Sequence, residues 1–233
     1  MRRRQATLLA ALATGSTALL ALGAAAPGAA AATSSAAGGQ YASSRPLPYQ
    51  VFAPYYEMYD SSTDLAALSQ QSGSRYLSLA FLQTDTSGSC NAYWDGLTTT
   101  PIAASSFGSD IAAIPAHGGN VIPSFGGYTA DTTNTEIADS CTSVPAIAAV
   151  YESLITTYNV PRIDMDIEAT SLTNTAGINR RNEAIAMTEA WAAAHHRQIQ
   201  FSYTLPTFPT GLTPSGLAVL QNAVADEIGR AHV

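Results

Sequence analysis

The sequence predicts an α/β fold, a TIM-type (β/α)8 barrel of which about the first five βα units are present, and three observations lead there. β-rich runs alternate with helical ones five times along the 233 residues. Three acids, Asp164, Asp166 and Glu168, stand at alternate positions of the fourth β-rich run. No run is followed by a Gly-x-Gly-x-x-Gly or a phosphate-binding glycine loop with Lys. Repeated βα units either close into a barrel or open into a doubly wound sheet. The inward row of acids decides for the barrel, and the open sheet lacks its nucleotide fingerprint.

Strands are expected over residues 49–55, 76–82, 120–125, 162–167 and 199–205, each rich in β-branched, aromatic or other apolar residues. Helices are expected over 64–71, 110–117, 145–158, 179–196 and 214–225. In the third helix Ile147, Val150, Leu154 and Tyr158 mark one face. In the last, Thr213 is an N-cap with Pro214 in the first turn. His117-Gly118-Gly119 reads as a helix stop. His195-His196 closes another helix, where imidazolium suits the dipole.

An extended strand sends every second side chain to one face, so the three carboxylates point one way and Ile163, Met165 and Ile167 the other. At about 3.3 Å per residue, neighbouring acids sit roughly 6.6 Å apart along the strand. In a poorly solvated cavity like charges at that spacing disfavour joint ionisation, and one acid keeps its proton near neutral pH. A protonated carboxyl beside an ionised one is what general-acid cleavage of a glycosidic bond requires. A calcium site or a solvated acidic edge is the rival reading, but calcium loops interleave Gly and Asn rather than large apolar residues.

The acidic strand also resembles that of the chitinases of glycoside hydrolase family 18, whose fourth barrel strand carries Asp-x-x-Asp-x-Asp-x-Glu. Asp164, Asp166 and Glu168 match its last three acids, while Pro161 stands at the first and Arg162 where the family often has Gly. Leu79-Ala80-Phe81-Leu82 is similar to the family's second strand, and Ser124-Phe125-Gly126-Gly127 to the Ser-x-Gly-Gly that ends its third. The likeness runs over residues 50–225. It implies a secreted chitinase that cleaves β-1,4-linked N-acetylglucosamine with retention and without a cofactor. Glu168 would protonate the leaving oxygen. Asp166 would orient the substrate's own N-acetyl group, whose carbonyl oxygen attacks the anomeric carbon, and Asp164 would share a proton with Asp166. Tyr55, Phe81, Ser124, Gly126, Gly127 and Tyr203 form the candidate substrate-binding set. Tyr55 and Phe81, with Tyr93, Trp94 and Tyr128 in following loops, offer either flat faces to sugar C–H groups or ordinary packing. Gly126 and Gly127 suit close backbone approach, and Tyr203 faces the cleft or the helices according to one step of register. Two rivals share the fold: an endo-β-N-acetylglucosaminidase acting on glycoproteins, and a barrel that binds chitin without turnover.

A composition of 46% hydrophobic and 12% charged residues suits one domain with a sizeable core, and excludes disorder for most of the chain. Residues 1–32, with Arg2, Arg3 and Arg4 before an Ala/Leu-rich run, read as a secretory signal peptide rather than a membrane anchor. Residues 33–48 read as a Ser/Ala/Gly-rich linker and 49–226 as the partial barrel. The tail 227–233 breaks the last helical pattern and resembles a translated adapter, so the chain is expected to be a fragment lacking strands six to eight. Removing the leader leaves seven basic against seventeen acidic residues, a net charge of −10, which disfavours nucleic acid and suits a neutral polysaccharide. There is no Lys, a bias that fits a GC-rich, actinobacterial-like coding sequence. Cys90 and Cys141, the two cysteines, are expected to pair in an exported protein. No metal site, no membrane contact and a monomer complete the expectations.

Overall fold

A computed structural model describes residues 47–60 and 63–226. The leader, almost all of the linker and the tail lie outside the described residues. Five strands run parallel in the order β1 (Tyr55–Glu57), β2 (Tyr76–Thr84), β4 (Asn120–Gly126), β5 (Arg162–Asp166) and β6 (Gln200–Thr204), and β3 (Ala92–Trp94) folds back antiparallel on β2. Helices separate the parallel strands: α1 (Leu65–Ser72), α2 (Gly108–Ala116), the short α3 (Tyr128–Thr133) and α4 (Ile137–Ser140), then α5 (Val144–Tyr158) and α6 (Thr175–Ala194). A two-stranded hairpin, β7 (Thr207–Phe208) with β8 (Gly211–Leu212), leads into α7 (Pro214–Ala225). The result is a mostly parallel α/β sheet, the arrangement of the first five units of a (β/α)8 barrel.

Local chemistry sets the helix starts. The side chains of Asp64, Ser143, Asn174 and Thr213 accept from the N–H groups of Ala67, Ala146, Gly177 and Gly216, capping α1, α5, α6 and α7. Pro145 and Pro214 occupy first turns, where a missing N–H costs nothing. The cap at Asn174 starts α6 four residues before the expected 179. Strand one is the weakest match to expectation: β1 begins only at Tyr55, because Pro54 has no N–H to donate to a ladder.

Each central strand contributes one face to an apolar layer under the helices. Leu79, Leu82, Val121, Phe125, Ile163, Met165 and Ile167 are fully buried there against Ile147, Tyr151, Leu154 and Ile185. Burying such side chains contributes about 1.5–3 kcal/mol apiece. Ile147, Leu154 and Tyr158 of the expected α5 face are buried, with Val150 at its margin.

Cys90 and Cys141 form a disulfide that joins the loop after β2 to the residue after α4, closing a separation of 51 residues. A loop of that size constrains the unfolded chain by about 4 kcal/mol. Thr84 and Ser140 reinforce the same junction through a 3.0 Å hydroxyl pair, so the wall beside β2 is tied down where α4 begins its contact with α6.

Candidate active site

Pairing register puts Ser124 of β4 and Ser202 of β6 level with Asp164, and Gly126 and Thr204 level with Asp166. Side chains at level positions in a sheet share a face, so hydroxyls from both neighbouring strands meet the acid row. Ser124 donates to Asp164 Oδ2 at 2.9 Å and Ser202 to Oδ1 at 2.7 Å. Tyr55, at the start of β1, donates to Oδ2 at 2.9 Å, and Thr204 lies 3.1 and 3.3 Å from the two oxygens. Four hydroxyls therefore take up both oxygens of Asp164, which is 5% exposed. Burial and the neighbouring Asp164 push the Tyr55 phenol upward, which keeps it a donor.

Asp166, 6% exposed, accepts no side-chain hydrogen bond among the described residues. Burial, then the charges of Glu168, Asp164 and Glu57, lift its carboxyl to about 7. A proton shared between Asp164 and Asp166, as the resemblance implies, has no hydrogen bond to run along among the described residues; the two are coupled through charge. Glu168 follows the end of β5, half-buried, and opens the 3-10 turn Ala169–Leu172. The acid row thus runs from a fixed, fully hydrogen-bonded carboxyl to a freer, proton-holding one and then to a partly exposed one at the rim.

A cleft of about 530 Å³ opens at the carboxyl ends of β1, β2 and β4, bordered by Glu57, Phe81, Gln83, Asp95, Gly126 and Tyr128. Reacting groups of βα barrels lie at that end. Burial and the charge of Glu57 raise the Asp95 carboxyl to about 6, so an acid with an elevated proton affinity borders the cleft itself. Another cavity, about 580 Å³, lies beside β6, α6 and α7; none of the three acids lines either one, and Gly126, level with Asp166, is where the first cleft comes nearest to the row. Among the described residues no three His, Cys, Asp or Glu side chains group as metal ligands.

The candidate substrate-binding residues do not all lie on one side of the sheet. Phe81 borders the cleft with its ring centroid 5.7 Å from that of Tyr55, and Tyr128 borders it 66% exposed. Ser124 is fully buried and serves Asp164. Trp94 packs inside, donating from its indole to Tyr158 at 3.1 Å. Tyr203 lies on the helical side: its hydroxyl donates to Asn182 of α6, away from the acids. Ser202 and Thr204 hold the inward positions of β6 instead, the consequence of a period of two. Those two, and Asp131, are the site neighbours that the sequence pattern did not single out. Ser and Thr at alternate positions of an inward strand face were the available signal.

Gly126 and Gly127 govern how closely β4 meets β5. Gly126 has φ +101°, and a Cβ there would lie 2.1 Å from the Asp166 carbonyl oxygen. At Gly127, with φ +83°, it would meet the Phe81 ring at 2.8 Å, while the Gly127 N–H donates to Asp166 O at 2.9 Å. Gly126→Ala is expected to cost about 2–3 kcal/mol of stability in urea denaturation. A loss below about 0.5 kcal/mol would mean that the strands part there without strain.

No protein-family model matches the chain. Over 187 residues, 80% of the chain, it is 33% identical to a probable bifunctional chitinase/lysozyme of Escherichia coli (strain K12), and over 188 residues 32% identical to Endochitinase 11 of Metarhizium anisopliae. The structure of active domain 2 of a thermostable chitinase from Pyrococcus furiosus, complexed with chito-oligosaccharides, superposes with a TM-score of 0.65 and 25% identity over 82% of the chain. Over the matched part the chain is similar to these chitinases in both sequence and fold. It spans 20% and 34% of the lengths of the two curated relatives and 57% of the Pyrococcus chain.

Proposed function

We propose that the chain hydrolyses β-1,4-linked N-acetylglucosamine in chitin by substrate-assisted, retaining catalysis. The observation that carries this is the graded acid row of β5, with Glu168 outermost at the carboxyl end of the sheet. Glu168 donates its proton to the glycosidic oxygen as the bond to the anomeric carbon breaks. The carbonyl oxygen of the substrate's own acetamide attacks that carbon and closes a five-membered ring, an exception to the two-carboxylate pattern. Asp166, free of side-chain hydrogen bonds, accepts from the acetamide N–H and offsets the charge that develops on it. Asp164, held by four hydroxyls, keeps a negative field behind Asp166. Water activated by Glu168 then opens the ring, restores the acetamide and returns the starting configuration. Phe81 and Tyr128 give the cleft flat apolar faces for sugar rings. The names of the relatives, chitinase and endochitinase, point to the same polymer.

Residues 1–32 support export, and an acidic chain suits a neutral polysaccharide outside the cell. Among the described residues no helix is long and apolar enough to cross a membrane.

A panel of chito-oligosaccharides set against an N-glycoprotein tests the substrate. Release of N-acetylglucosamine oligomers from the former alone is expected; cleavage confined to the glycoprotein would shift the reading to an endo-β-N-acetylglucosaminidase. The pH dependence follows from Asp166. Its carboxyl lies above the usual range, so the protonated form persists to about pH 7 and is lost as pH rises through that value. Offsetting the acetamide's charge calls for the carboxylate, so kcat is expected to fall as pH drops through the same window. A profile flat from about pH 5 to about 8 would contradict the part given to Asp166.

A further inference from the structure

Each backbone N–H at the end of β5 has a named acceptor. Ile167 donates to Thr204 O at 3.0 Å, the last bond of the ladder to β6. The next N–H, that of Glu168, lies beyond the sheet and donates to Asp131 Oδ2 of α3. Asp131 is fully buried, and its own N–H donates to Gly127 O at 3.0 Å. Its carbonyl accepts from the Thr170 hydroxyl two residues past Glu168. Between these two contacts Ala169 sits at φ +40°, a left-handed conformation that a non-glycine residue keeps only when its surroundings impose it.

We infer that Asp131 is a positioning residue for Glu168: its buried carboxyl and carbonyl clamp the turn on which the proposed acid is mounted. This rests on the chitinase reading of Glu168. The hydrogen bond asks only for an acceptor oxygen. Burial lifts the Asp131 carboxyl to about 8, against the pull of the Glu168 N–H, with Glu136 adding to the rise and Arg181 opposing it. Near neutral pH the group is then a neutral acid, for which Asn is the isostere. Ser171, in the same turn, also draws the Asp131 carboxyl down, while Asp131 Oδ1 is buried and meets no hydrogen-bond geometry among the described residues.

The test compares Asp131→Ala and Asp131→Asn in the full chain by two readouts. The first is the Glu168 amide proton in a ¹H–¹⁵N spectrum: a hydrogen bond to a carboxyl oxygen places it downfield, and it is expected to move upfield in the Ala variant and stay in the Asn variant. The second is steady-state hydrolysis of a chito-oligosaccharide. Misplacing the acid is expected to lower kcat of the Ala variant about 30-fold while KM changes less than about 3-fold, with Asn restoring most of kcat. An unmoved Glu168 amide in the Ala variant, an unchanged kcat, or an Asn variant as impaired as Ala overturns the inference. Should the Ala variant not fold, the Asn variant decides alone: amide and kcat retained supports the clamp, either one lost sinks it. A wild-type chain that cleaves no oligosaccharide refutes the chitinase reading instead, and the amide shift still decides whether Asp131 holds the turn.

Discussion

Glu168→Gln is expected to abolish hydrolysis of chito-oligosaccharides, lowering kcat by about 10³-fold or more, because the amide cannot give a proton to the leaving oxygen. The fold should survive the change. Glu168 is half-exposed, and its side chain accepts no hydrogen bond among the described residues, so an isosteric amide leaves no buried group unpaired. Its backbone N–H, which does have a partner, is untouched. The deficit should shrink on an aryl glycoside whose phenol leaves without protonation, since the step that Glu168 assists is then easier. Equal loss on both substrates, or near wild-type activity on the natural one, would take the acid's role away from Glu168.

Arg181→Met is expected to destabilise the chain by about 3–5 kcal/mol in urea denaturation, the largest stability effect anticipated. Arg181 Nη2 lies 2.8 Å from Glu136 Oε2, and both side chains are fully excluded from solvent. Removing the cation leaves the Glu136 charge buried, with only the N–H groups of Ala138 and Asp139 to solvate it. Pairing Arg181→Met with Glu136→Gln should cost less than the sum of the two single changes, because no unpaired charge remains. The pair also connects to function. Asp139, beside Glu136, accepts from Ser171 and from Asn174 at 2.9 Å, which ties α4 to the loop that follows Glu168. A loss within 1 kcal/mol would show that the cluster is not buried in solution.

Alternation at the level of single residues made the core of the site legible in the sequence. The Ile163, Met165, Ile167 face and the Asp164, Asp166 face separate as a period of two demands, and the glycines after Ser124 lie where backbones touch. In β6 Gln200, Ser202 and Thr204 alternate with Phe201 and Tyr203, so the two faces separate as cleanly as in β5; what a period of two leaves open for Tyr203 is which face turns to the acids, and the hydroxyl face does. Trp94 was undecided because a loop position between two turns has no period at all; the fold-back of β3 on β2 buries it. Asp131 left no trace, since its partner is a main-chain N–H 37 residues away, and no side-chain pattern reports such a bond. The aromatic content of residues 49–55 suggests strand, but Pro54 interrupts the donors and β1 is confined to Tyr55–Glu57.

The most direct measurement is the anomeric configuration of the first products, followed by NMR during hydrolysis of a chito-oligosaccharide. Attack by the acetamide oxygen and then by water inverts the carbon twice, so the β-anomer should appear first and mutarotate to α. An α-anomer at the outset would mean direct displacement by water, and would contradict the acid row working with the substrate's own acetamide.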